Sequence, residues 1–162
     1  DLDLVVTDNF EAANADSLQA TVSFSGPGGG HVSASPSILS PARHQLVPIH
    51  VTLSPDTCVP VTATLTSINS SEPDDAMGGS DGHTVNDIQG ASVGTADFDF
   101  MLRAERDGKG PGRMYQVVYS VMDSLGNSSV AEVSVLVPGK KGGPVLLQAP
   151  GKPPRGKPAP KD

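Results

Sequence analysis

The sequence predicts an all-β protein, an antiparallel sandwich of about seven short strands. Three observations carry this. Runs rich in Val, Thr and Ser are cut at close intervals by 18 Gly and 15 Pro in 162 residues, which is how turns punctuate strands. Several of these runs alternate apolar and polar residues with period two, the pattern of a strand with one buried face. No window holds apolar residues at helical spacing, and no apolar run nears the roughly 18 residues of a membrane helix.

The clearest alternation lies between Phe98 and Val137 and reads as three strands and two turns. Phe98, Phe100, Leu102 and Ala104 alternate with Asp97, Asp99, Met101, Arg103 and Glu105. A turn with three glycines follows at Asp107 to Gly112, and Tyr115, Val117, Tyr119 and Val121 resume the period. Asp123, Gly126 and Asn127 supply the second turn, after which Ala131, Val133, Val135 and Val137 share a face. These three strands are expected to form one antiparallel sheet.

Upstream, Leu2 to Val6 and Leu18 to Phe24 alternate around a polar connection from Asp8 to Asp16. They read either as the last strands of a preceding module or as additions to this one. The acidic start at Asp1 is unlike a signal peptide and reads as a mature or excised segment. Gly26 to Gly30 is a flexible break. Val32 to Pro36 looks like an edge strand, because a proline removes a ladder donor. Leu46 to Leu53 follows with Val47, Ile49, Val51 and Leu53 on one face, then a turn at Ser54 to Thr57. Val59 to Ile68 comes next, with Val61, Ala63 and Leu65 inward. Between Asn69 and Gly94 the pattern stops for about 26 residues, longer than a structureless loop usually runs. Residues 139–162 hold six prolines and five glycines, so they are expected to be a disordered tail with polyproline character. The expected organisation is an N-terminal strand-and-linker segment at 1–30, the sandwich at 31–138, and the tail at 139–162.

Charge divides along the same line. Residues 139–162 carry six Lys and Arg against one Asp, a net +5, whereas residues 1–138 carry five against seventeen, a net −12. An acidic body repels nucleic acid and suits divalent cations, while a basic tail suits an anionic surface; both also serve solubility. Cys58 is the one cysteine of the chain, so no intrachain disulfide is possible.

Several stretches in order resemble an Ig-like or fibronectin-like repeat of bacterial secreted and cell-surface proteins, over roughly Ser37 to Pro138. They are Ile38-Leu39, His44 to Pro48, Ser71-Glu72-Pro73, Asp81 to Thr84 with Asp87, Leu102 to Arg106, Gly110 to Tyr115, and Asp123 to Ser128. The chain has Ile88 where that module usually has Trp, and Cys58 where it often has a pair. The resemblance implies an Ig-like sandwich that is extracellular or at the cell surface, non-catalytic, and a spacer or adhesion unit. Its expected partners are other domains of the same secreted protein, a surface protein or a polysaccharide, with no nucleic acid and no membrane insertion. The alternative is a carbohydrate-binding accessory module of a secreted hydrolase, which needs exposed aromatics to stack on sugar rings. Tyr115 and Tyr119 are expected inward.

Four groups of residues are candidates for chemistry. Glu72, Asp74, Asp75, Asp81 and Asp87 lie along a glycine-bearing loop, and calcium takes six to eight such oxygens. Asp123 or Asn127 from a neighbouring turn are expected to join them. The spacing is not that of an EF-hand, and the same residues serve equally as turn formers in a solvated loop. Arg103, Glu105, Arg106 and Arg113 form either a carboxylate- or sugar-binding patch on an exposed face or, the preferred reading, ion pairs across strands that fix the hairpin register. Gly78-Gly79-Ser80-Asp81-Gly82 matches a nucleophile elbow in letters only, with no strand before it and no helix after it. His31, His44, His50 and His83 lack metal-ligand spacing; His50 faces outward and His44 is expected to bond within a loop. Asn69 and Asn127 each open an Asn-Ser-Ser glycosylation pattern.

Overall fold

The computed structural model describes residues 29–56, 58–75 and 83–139. Within them the chain forms β1 (Gly30–Ser35), β2 (Leu46–Pro55), β3 (Val61–Ser70), β4 (Ile88–Gln89), β5 (Asp99–Arg103), β6 (Gly112–Asp123) and β7 (Ser128–Pro138). One sheet has the order β1-β2-β5-β4 and the other β3-β6-β7. All ladders between these strands are antiparallel. The described residues contain no helix, and hence none long and apolar enough to cross a membrane. The expected segments at 1–28 and 140–162 lie outside the described residues.

The period-two runs bury the faces they promised. Val32, Ile49, Val51, Phe100 and Leu102 line one sheet, and Ala63, Leu65, Tyr115, Val117, Tyr119, Val121, Ala131, Val133, Val135 and Val137 line the other. Together they make one core between two antiparallel layers, a β-sandwich. The ladder of β3 on β6 shifts register between Leu65 and Ser67, and the loop after β4 covers that edge. Leu65 donates its amide to Thr95 at 2.8 Å, and its carbonyl accepts from Gly94 at 2.8 Å. On the far edge, Ile38 bridges Leu136 in parallel.

The strands from Phe98 to Val137 do not form one sheet. Only β6 and β7 make a hairpin, while β5 joins β2 and β4 in the opposite layer. The glycine-bearing link at 104–111 is therefore a crossing between sheets. Its first two residues, Ala104 and Glu105, are both buried, whereas a hairpin loop would expose them. The long break before β5 also contains a two-residue strand, β4, which sets Ile88 against Leu102.

The two ends of the domain sit at opposite poles. Gly30 pairs with Pro55, the Asp56 amide bonds Gly29 O at 2.9 Å, and the Ser124 amide bonds Pro60 O at 3.0 Å. The chain thus enters β1 beside the β6–β7 turn. It leaves at Pro138, which pairs with Gly112, and the Gly139 amide donates to Pro111 O at 3.1 Å. The 12 residues of β6 separate these poles by about 40 Å.

Candidate functional site

At the exit pole the loop before β4 closes on a cluster of charged side chains. Arg113 is the second residue of β6 and shares its inward phase with Tyr115, so its guanidinium enters the sandwich, and no part of the side chain is exposed. Burial at that depth is tolerable only if the donors are answered. Nη1 donates to the Asp87 carboxylate and to Tyr115 Oη at 3.2 Å, Nε to Glu72 Oε2 at 3.3 Å, and Nη2 to Pro73 O at 3.1 Å. Arg103, at the end of β5, grips the same loop. Its Nε reaches Asp87 Oδ1 at 3.0 Å, Nη1 the His44 carbonyl at 3.0 Å, and Nη2 the Val85 carbonyl at 3.1 Å. Tyr115 donates its hydroxyl to Arg103 O at 2.8 Å, tying the two sheets together.

The remaining carboxylates are drawn in as well. Glu72 Oε2 accepts the Asp107 amide at 2.7 Å. Asp74 accepts the Asn86 amide at 2.7 Å and the Asp87 amide at 2.8 Å. Those two amides, Asp87's first, hold the Asp74 carboxyl below its ordinary range. Glu105 is wholly buried, accepts from the Thr84 hydroxyl, and lies 3.2 Å from His44 Nδ1. Burial pushes its carboxyl up, against the pull of Thr84. Burial likewise pushes the Tyr115 phenol up to about 12. For Arg113 burial works against the cation, but its contacts with Tyr115 and Asp87 outweigh it and hold the guanidinium above its ordinary value.

The expected site residues are thus sorted by position. Glu72, Asp74 and Asp87 do come together, but around two guanidiniums and backbone amides. Asp75 stands apart, 3.6 Å from His83 Nδ1 and half exposed. Asp81, with the elbow-like stretch through Ser80, lies outside the described residues. Asp123 and Asn127 cannot join this group, because they form the β6–β7 turn at the entry pole. There Asp123 Oδ1 accepts the Leu125 and Asn127 amides at 2.9 and 2.8 Å, its Oδ2 accepts Asn127 Nδ2 at 2.8 Å, and Gly126 supplies a φ of +89°.

Glu105 and Arg113 are not on the exposed face expected for them, and their partners come from loops rather than from facing strands. Arg106 donates to the carbonyls of Pro138 and Asp107. On the exposed face a cross-strand hydrogen bond joins His50 Nδ1 and Asp99 Oδ1 at 2.7 Å, between residues outside the expected set. The residues missed by the sequence reading are Tyr115, Thr84 and His44 as members of a polar cluster. Arg113 carried a legible signal, since it falls in phase with four buried apolar residues of β6, Tyr115, Val117, Tyr119 and Val121.

Chemically the arrangement is a set of buried ion pairs and hydrogen bonds. Two cations meet Asp87 and Glu72 inside the fold, and the donors fasten the links at 71–75 and 83–89 to the sandwich. No family model, curated protein or solved structure matches this chain.

Proposed function

We propose that the chain is a non-catalytic, extracellular Ig-like module that acts as a structural spacer or adhesion unit between other domains. The observation that carries this reading is the placement of the first and last strands' outer ends. Entry at Gly30 and exit at Pro138 lie at opposite poles, so tension along a longer chain runs parallel to the strands and shears ladders instead of peeling them. The Ile38–Leu136 bridge, with the Leu39 and Leu136 amides bonded at 2.8 Å, ties the first segment to the last strand in that same direction. The resemblance to secreted repeat modules points the same way.

Sugar binding ranks second because the described aromatics offer no platform. Tyr115 and Tyr119 are wholly buried, Phe100 is nearly so, and Phe98 stacks on Tyr119 at 5.3 Å. Single-molecule pulling tests the spacer reading. Loaded through its two ends, the domain is expected to unfold in one step at a higher force than when loaded between its N-terminal end and a handle at Ser124, which share a pole. Equal forces, or retention of the protein on insoluble cellulose or chitin, would overturn it.

A further inference from the structure

The cluster at the exit pole contains one buried atom with no donor. Among the described residues Glu105 Oε1 has no hydrogen-bond partner, and Arg113 Nη1, 3.9 Å away, already donates to Asp87. Around Glu105 stand Arg113 and Tyr115 from β6, Asp87 from the link before β4 and His44 from the link before β2. Arg103 from β5 reaches the group through Asp87, and Glu72 from the link after β3 through Arg113. Arg103 and Arg113 are matched by Asp87 and Glu72. An ionised Glu105 would add a third negative charge at a dry site, with one oxygen bare. A protonated Glu105 turns the bare oxygen into a donor, and that oxygen and Asp87 Oδ2 both face the same Arg113 Nη1.

We propose that Glu105 is held as a neutral acid in the folded protein, its proton bridging to Asp87, and that this proton latches the segment Thr84 to Gln89 onto the sandwich. The segment's anchors converge on the same group. Thr84 bonds Glu105, the Val85 carbonyl takes Arg103 Nη2, Asp87 takes both guanidiniums, and the Arg103 amide bonds Asp87 O at 2.9 Å. Removing the proton sets two carboxylates against each other beneath those anchors. Burial raises the Glu105 carboxyl above its unfolded value. The stabilisation it gives is therefore complete below the unfolded value and is lost as pH rises through the folded one.

The test is amide hydrogen exchange on the intact chain. Between about pH 5 and about pH 9, protection factors at Asn86, Asp87 and Arg103 are expected to fall by up to about tenfold per pH unit, the limit for one coupled proton, while Tyr119 in the sheet stays level. Glu105→Gln keeps an acceptor for Thr84 and a donor for Asp87 but does not titrate, so it should flatten the slope. A slope unchanged in Glu105→Gln, or kept there and lost in His44→Gln, overturns the assignment. If Glu105→Gln fails to fold, infrared spectroscopy of the wild-type chain at neutral pH decides. A protonated-carboxyl stretch supports the latch, and its absence contradicts it.

Discussion

Replacing Arg113 by Met asks whether the buried cluster holds the fold or merely fills it. The side chain is wholly buried and Asp87 is 2% exposed, so Arg113→Met strips Asp87 of one of two cations and orphans the Pro73 carbonyl. Removing one partner of a buried pair costs about 3–5 kcal/mol, out of the roughly 5–15 kcal/mol that holds a typical domain together. For a domain of this size that lowers Tm by on the order of 15–25 °C. The double variant Arg113→Met with Asp87→Leu removes both charges, and replacing a buried pair with apolar residues is often neutral. It should regain at least about 2 kcal/mol of the loss. Urea unfolding followed by far-UV circular dichroism suits a chain without Trp, with the m-value checked for constancy. A loss below about 1 kcal/mol, or a double variant no better than the sum of its singles, would refute the clamp.

Three other outcomes follow from named contacts. Gly112 has a φ of +124°, and a Cβ there would sit 2.5 Å from Val137 O and 2.8 Å from Gly139 N. Gly112→Ala should therefore cost at least about 2 kcal/mol and lower the melting temperature, whereas Gly94→Ala meets nothing within 4 Å and strains only the backbone. The Asn127 side chain, followed by the turn amides, lowers the Asp123 carboxyl. Its stabilisation is present above the unfolded value and is lost as pH falls through the folded one. Asp123→Asn should flatten the acid limb of a melting curve measured against pH. Millimolar calcium should leave the melting temperature where EDTA leaves it, since Glu72, Asp74 and Asp87 are engaged by arginines and amides. A rise that disappears in Asp81→Asn would show instead that a calcium site exists.

The inward faces were legible because a half-buried strand repeats every two residues, and Tyr115 to Val121 and Ala131 to Val137 carry that pattern without interruption. Strand partnership was not legible. A link such as 104–111 can close a hairpin or cross between sheets, and what decides is that Ala104 and Glu105 are both inside, which alternation alone cannot express. The cluster was half legible. Arg113 falls in phase with Tyr115, but its charge argues for an outward position until Asp87, 26 residues earlier, is known to meet it. The turn at Asp123 to Asn127 was fully local, since its ligating amides lie within four residues of the carboxylate, and it forms as expected. Its distance from the acidic loop was not local information, because it depends on β6 running straight between the poles.

The spacer geometry depends on the separation of those poles, and a distance between spin labels tests it directly. With Cys58 replaced by Ser, labels go at Asp56, whose amide bonds Gly29 O, and at Pro111, whose carbonyl bonds the Gly139 amide. Both positions are exposed. Electron–electron double resonance should return one distribution centred near 40 Å, the span of a 12-residue strand. A distribution centred below about 25 Å, short of the rise of eight strand residues, would place entry and exit on the same side and contradict the spacer geometry.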